Sequence, residues 1–211
     1  MILILDYGCG NILSLKRALD EIGLKNLVSN AKEEIINADL IILPGVGAFE
    51  NAIDLLKKKG LFDIILNEVS KQKPLIGICL GMQMLFTKSF EMGEHLGLNL
   101  IEGNIEKIDK KSKIKNVKVP HISWSNIIFE NKEHLKKEQL VLNERSFYFI
   151  HSYIAFPFNN KNIMAKCKYY DISFPAIVKK NNVVGFQFHP EKSGMNGLKL
   201  LKFTIKDLLK V

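Results

Sequence analysis

Apolar and polar positions along the 211-residue chain change their period about halfway. In the first half, short apolar runs at Ile2–Leu5, residues 39–43 and Leu75–Ile78 alternate with stretches whose apolar residues recur at helical spacing. Ile12, Leu15, Leu19 and Ile22 share one helical face that Gly23 closes, and residues 48–58 and 61–69 read as two further helices separated by Gly60. Strands alternating with helices predict a parallel sheet covered on both faces, with ligands bound at the carboxyl ends of the strands. Three turn-like segments fall at those ends: Asp6-Tyr7-Gly8, Pro44-Gly45-Val46-Gly47 and Gly77-Ile78-Cys79-Leu80-Gly81.

From about residue 98 to residue 187 the pattern is strand-like, with runs at 114–119, 147–150, 164–170, 176–178 and 183–188. Asn181-Asn182 between the last two reads as a hairpin turn. Residues 130–139 read as a polar helix, and Leu198, Leu201, Ile205, Leu208 and Leu209 mark a closing amphipathic helix. No internal repeat, low-complexity tract or linker divides the chain, so residues 1–211 read as one domain. The expected class is α/β: an open, mostly parallel sheet with flanking helices and an antiparallel extension.

Composition adds limits. Hydrophobic residues at 47% and charged residues at 25% suit a globular chain with a buried core. Runs such as Leu40-Ile41-Ile42-Leu43 are too short to span a membrane, and Met1-Ile2-Leu3-Ile4-Leu5-Asp6 lacks the basic start of a signal peptide. Three cysteines, Cys9, Cys79 and Cys167, with no CxxC spacing argue against a disulfide framework or zinc site and for a reducing cytoplasm. The net charge of +8 is almost all lysine, with only Arg17 and Arg145 as arginines. The densest stretch, residues 107–118, alternates lysine with apolar residues as on the wet side of a strand and offers no aromatic platforms for bases. It reads as a solvated face and not as a nucleic-acid site, although positive charge attracts a phosphorylated substrate or an acidic partner.

The segment Gly77 to Gly81 carries the sharpest chemistry. A cysteine between two glycines, after a buried strand and before a helix, is the layout of a nucleophile elbow. The positive end of the helix favours the thiolate that attacks. With 14 Gly and 3 Cys in the chain, chance matches to G-x-C-x-G number roughly 0.01. A buried structural cysteine fits the pentapeptide too. Of five histidines, His95 and His134 lie in polar stretches and read as surface residues, whereas His121, His151 and His189 follow apolar runs. His189 is followed by Pro190 and Glu191, and in extended chain residues i and i+2 point the same way. Glu191 then orients the imidazole toward a nucleophile, or the segment is simply a strand end followed by a helix start. Gly45-Val46-Gly47 is either a plain turn or a source of an N–H donor for an oxyanion, alongside the N–H of Leu80. The absence of G-K-[ST] speaks against a phosphate loop.

Taken together, P-G-V-G at 44–47, G-x-C-x-G-M-Q at 77–83 and F-H-P-E at 188–191 resemble the class I glutamine amidotransferase family, whose architecture is flavodoxin-like. D-Y-G-x-G-N at 6–11, P-G-V-G-A-F at 44–49, P-H-I at 120–122 and Q-F-H-P-E-K-S at 187–193 are similar to one branch of it, the glutaminase subunits of imidazole glycerol phosphate synthases. The resemblance implies that Cys79 attacks the side-chain amide of L-glutamine and passes through a glutamyl thioester. His189, held by Glu191, moves the protons. Val46, Gly47 and Leu80 form the oxyanion hole, and Gly45 and Gln83 contribute to the glutamine site. Gly77 and Gly81 are expected to leave clearance for substrate and oxyanion. It also implies ammonia transfer to a barrel-shaped cyclase (HisF-type) subunit in a heterodimer, with Asn11, Trp124 and Lys192 at the contact, and neither cofactor nor metal.

One segment departs from the family pattern. Pro120-His121-Ile122-Ser123-Trp124-Ser125-Asn126 resembles P-H-x-G-W-N, with Ser123 in place of glycine and Ser125 before Asn126. Because this segment faces the partner in the family, an amidotransferase subunit supplying ammonia for amidination of a surface sugar is the alternative within it. Outside the family the alternatives are a stand-alone cysteine hydrolase of esters or lactones, and a non-catalytic scaffold.

Overall fold

The computed structural model describes residues 1–130, 133 and 135–211, apart from the side chain of Lys111. The chain runs β1 (Ile2–Leu5), α1 (Ile12–Glu21), β2 (Asn26–Ser29), α2 (Lys32–Asn37), β3 (Leu40–Leu43), α3 (Phe49–Lys58), α4 (Phe62–Ser70), β4 (Leu75–Ile78) and α5 (Leu80–Met84). It continues through β5 (Phe86–Ser89), β6 (His95–Leu96), β7 (Ile101–Lys107), β8 (His121–Phe129), α6 (Lys137–Leu142), β9 (Ser146–His151) and β10 (Tyr153–Pro157). It ends with β11 (Ile163–Tyr169), β12 (Ile172–Lys180), β13 (Val183–Phe186) and α7 (Gly194–Leu209).

Nine strands form one sheet in the order β2-β1-β3-β4-β13-β12-β11-β8-β9. The pairs from β2 to β13 are parallel, and those from β13 to β9 are antiparallel. A central parallel strand is covered on both faces and must be apolar on both. The strands β1, β3, β4 and β13 are accordingly buried at every position. Alternation along them splits the core in two. Ile2, Ile4, Leu40, Ile42, Ile76 and Ile78 pack with Leu15 and Leu19 of α1 and Leu201 and Ile205 of α7. Leu3, Leu5, Ile41, Leu43 and Leu75 pack with Phe49, Ile53, Leu56 and Ile65 of α3 and α4. A second sheet, β10-β7-β5-β6, extends the latter side.

Several expectations shift in detail. Residues 114–119 form no strand: the segment from 112 to 120 is irregular, and Asn116 sits at φ 68° in the left-handed region. The lysine-rich stretch is therefore not the wet side of a strand, because β7 ends at Lys107 and a 3-10 turn occupies residues 108–111. The polar helix expected over 130–139 starts later, as α6, while Asn131, Lys132 and His134 lie outside the described residues. The hairpin between β12 and β13 turns at Asn181, with φ 53°. His95 is half-buried, its Nδ1 3.5 Å from Glu50.

Candidate active site

The carboxyl ends of β3, β4 and β13 meet at Cys79. Its N–H donates to Phe186 O at 2.7 Å, and its carbonyl accepts from Gln83 N at 3.1 Å, which starts α5. Between these anchors the backbone is forced to φ 54° and ψ −109°, outside the regions an L-residue prefers and worth about 1–3 kcal/mol of strain. Such a residue persists only where its surroundings over-determine it. The glycines supply that constraint by close packing. A Cβ on Gly77 would meet Gly81 O at 2.6 Å, one on Gly81 would meet Leu43 O at 1.9 Å, and one on Gly45 would meet Gly81 N at 2.7 Å. Their clearance is for neighbouring backbone, in place of the expected clearance for substrate and oxyanion. Gly45 is correspondingly buried against Gly81 and Leu80 and does not line the cavity in front of Cys79.

That cavity has a volume of about 330 Å³ and takes in Val46, Gly47, Cys79, Leu80, Gln83 and His189. As the first residue of α5, Leu80 has no intrahelical acceptor for its N–H. Pro44 is pinned by the buried Tyr7 hydroxyl, which donates to its carbonyl at 2.8 Å. Beyond it Val46 and Gly47 are exposed, and nothing lies within 4 Å of a Cβ built on Gly47, whose φ is 96°.

His189 follows β13 and is fixed through its backbone. Its N–H donates to Tyr148 O at 3.0 Å, and its carbonyl accepts from Ser193 Oγ at 2.6 Å. Nδ1 bonds Glu191 Oε1 at 2.7 Å, both side chains being nearly fully buried. Burial pulls the imidazole pKa down, but the hydrogen bonds and charges of Cys79 and Glu191 outweigh it and raise the value from 6.5 to about 10. The ring is an imidazolium at neutral pH, with Glu191 behind it and Cys79 on its other side.

His151 and Tyr153 also line the cavity and begin a hydrogen-bonded chain that runs back to His121. Burial lowers the pKa of His121 to about 4, and burial together with His121 lowers that of His151 to about 3, so both rings are neutral. Tyr153 O can only accept, so His151 Nδ1, 3.0 Å away, carries the proton. His151 Nε2 then accepts from His121 Nδ1 at 3.1 Å. His121 Nε2 in turn faces the hydroxyls of Ser123 at 2.7 Å and Ser125 at 3.0 Å and accepts. The two serines at the departing segment thus turn inward onto His121. Ile122 and Trp124, which alternate with the two serines, face out, 54% and 56% exposed. Gln83 Nε2 donates to Tyr153 O at 3.0 Å and Gln187 Oε1 at 3.2 Å, which leaves its carbonyl oxygen for the cavity.

Sequence reasoning missed Glu91, Gln187, Ile150, His151, Ser152 and Tyr153 as parts of the site. Glu91 also lines the cavity, and its Oε2 accepts from Phe49 N at 2.8 Å at the start of α3. It lies between two short strands in a run with no periodicity, so no local pattern marks it. Asn11 precedes α1, Lys192 follows Glu191 on the surface, and Trp124 packs against Tyr148 with ring centroids 6.0 Å apart. A larger groove, about 1120 Å³, lies between α6 and α7 and contains none of the candidate catalytic residues. Among the described residues no cluster of three or more His, Cys, Asp or Glu is placed to hold a metal ion. No described helix is long and apolar enough to cross a membrane.

Comparison with known proteins gives a consistent result. The family model for glutamine amidotransferase class-I matches residues 3–206. The chain is 42% identical over 204 residues to imidazole glycerol phosphate synthase subunit HisH of Carboxydothermus hydrogenoformans, covering 96% of this chain and 97% of that protein. It is 43% identical over 202 residues to the subunit of the same name from Oceanobacillus iheyensis, covering 96% of each. A solved structure of PurLQS from Thermotoga maritima superposes with a TM-score of 0.73 at 19% identity over 98% of both chains, a likeness of fold.

Proposed function

The chain belongs to the class-I glutamine amidotransferase family and is the glutaminase subunit of an imidazole glycerol phosphate synthase; from that premise we propose that it hydrolyses L-glutamine through a thioester on Cys79. The observation that supports this mechanism best is a cysteine held at φ 54° at a strand end, opposite a His189–Glu191 pair joined at 2.7 Å, in one cavity with free backbone donors.

In this reading Cys79 Sγ attacks the side-chain amide carbon, and the carbonyl oxygen becomes an oxyanion. The N–H of Leu80 receives it, with a second donor from the Val46–Gly47 peptide. The imidazolium of His189 gives its proton to the amide nitrogen, the C–N bond breaks, and ammonia leaves a glutamyl thioester. The neutral ring then takes a proton from water, whose oxygen displaces sulfur and releases glutamate. The Gln83 carbonyl oxygen and the Glu91 carboxylate are acceptors suited to the α-ammonium group of the substrate.

The imidazole glycerol phosphate synthase relatives carry the name of a subunit, so the chain works with a partner subunit. We take the partner to be a cyclase barrel in a heterodimer that receives the ammonia. Ile122, Trp124 and Ile150 are exposed at 54%, 56% and 40% on the outer face of β8 and β9, and Ile150 also lines the cavity. An apolar patch at the mouth of the site suits a partner that covers it. Asn11 and Lys192 are assigned to the same contact. The 42% and 43% identical relatives, named as imidazole glycerol phosphate synthase subunits, favour histidine biosynthesis over sugar amidination. The exposed, unpacked Val46–Gly47 segment is where docking would complete the oxyanion hole, so the isolated subunit should be slow.

Cys79→Ala tests the nucleophile. The variant is expected to lose glutamine hydrolysis, by at least about 10⁴-fold, while its thermal unfolding transition is kept. Hydrolysis close to the wild-type rate would overturn the mechanism.

A further inference from the structure

The sulfur of Cys79 has a polar neighbour besides His189 that the mechanism above leaves unused. Gln187 is fully buried, and its side-chain nitrogen lies 4.0 Å from Cys79 Sγ. Which end of this amide meets the sulfur follows from hydrogen-bond accounting. Tyr153 O accepts only, so the end of Gln83 that touches it is the NH₂ group. The second hydrogen of that nitrogen points to Gln187, which must present its carbonyl oxygen there, at 3.2 Å. The NH₂ of Gln187 is then the end that faces Cys79. Reversing Gln83 would set carbonyl against carbonyl at Tyr153, and reversing Gln187 would set nitrogen against nitrogen at Gln83. The proton of His151 Nδ1 on the same Tyr153 oxygen locks the start of this sequence of donors.

The two protonation states of the sulfur meet different partners. A thiol S–H finds the carbonyl of Ile150 at 3.8 Å. For a thiolate that carbonyl offers nothing, and the useful neighbours are the N–H donors of Gln187 Nε2 and the His189 imidazolium, with Glu191 behind that ring and the Tyr7 hydroxyl, committed to Pro44 O, nearby. We propose that Gln187 is a further catalytic residue, an N–H donor that stabilises negative charge on Cys79 Sγ. It acts on the resting nucleophile and again when water adds to the thioester, the C–S bond breaks and its electron pair returns to sulfur. The inference rests on the reading of Cys79 as the nucleophile. Charge-assisted hydrogen bonds of this kind are stronger than neutral ones, and burial removes competing water.

Two substitutions separate the donor from the packing. Gln187→Glu keeps an oxygen for Gln83 and replaces the N–H at the sulfur with a second oxygen. Gln187→Met fills similar volume with no polar hydrogen. The measurements are the rate of Cys79 alkylation by iodoacetamide in the full chain, and kcat and KM for glutamine in the complex with its partner. Both variants are expected to alkylate and turn over about ten-fold or more slowly, with KM within about two-fold of wild type. Gln187→Met with alkylation and kcat within two-fold of wild type would overturn the assignment, whether or not Gln187→Glu folds. The distinct failure, of the nucleophile itself, would appear in the wild type as an unreactive Cys79 and in Cys79→Ala as retained turnover.

Discussion

At the residue scale the site depends on how one charge is held. His189 and Glu191 are almost fully buried and share one hydrogen bond at 2.7 Å. The ring binds its proton more tightly in the folded chain than outside it, since its pKa rises from 6.5 to about 10. The stabilisation of the folded state from this proton is complete below pH 6.5 and is lost as pH rises through about 10. The same proton is needed on the leaving nitrogen. Glutaminase activity is therefore expected to fall on an alkaline limb near pH 10. Glu191→Gln removes the negative charge that favours the imidazolium, so its alkaline limb should move toward neutral pH, with kcat lower by about 10²-fold. The pH profile of kcat checks this, and an unmoved limb would show that Glu191 does not hold the proton. The residues to which the proposal gives this chemistry were legible as candidates where they sit together in the chain, as in Gly77 to Gly81 and His189 to Glu191. Gln187 lies in a recognisable segment, but its contact with Cys79 spans 108 positions and runs through Gln83 and Tyr153. No local pattern predicts a donor network of that kind.

At the scale of elements the elbow is a packing problem. β4, α5 and β3 approach so closely that Gly45 and Gly77 each pack on the backbone of Gly81, and Gly81 on that of Leu43. The carbonyl of Leu43 that a Cβ on Gly81 would strike, at 1.9 Å, belongs to a strand paired on both sides and cannot yield without disturbing the sheet. Gly81→Ala is expected to cost about 3 kcal/mol or more, read as a lower denaturant midpoint. A loss below about 0.5 kcal/mol would mean the elbow is looser than described. Within the parallel half of the sheet β1, β3 and β4 were legible because they are short, fully buried runs bounded by turns. The run at 114–119 mimicked a strand by alternating lysine with apolar residues, but a left-handed Asn116 breaks it. The reverse error occurred at β7, where Gly103, Asn104 and two glutamates weaken the strand signal, although burial alternates along it. The half-buried edge strand β2, of four residues, was similarly faint.

At the scale of the whole molecule, one rim of the sheet carries both the cavity and the exposed apolar face beside it. Parallel β1, β3, β4 and β13 deliver turns to that rim, and the antiparallel β8 and β9 raise Ile122, Trp124 and Ile150 next to its mouth. In the proposed reading, hydrolysis at Cys79 and delivery of ammonia across that face are parts of one arrangement. Ammonia that escaped would mix with solvent, so the isotopic origin of the transferred nitrogen reads the arrangement directly. The decisive measurement combines the chain with a cyclase partner and its ribonucleotide substrate, with heavy nitrogen in the glutamine amide and ordinary ammonium in excess. The account predicts imidazole glycerol phosphate whose incoming nitrogen is heavy and undiluted, and no glutamine-dependent product with Cys79→Ala. Product carrying the ordinary nitrogen of the ammonium pool, or none formed from glutamine, would contradict it.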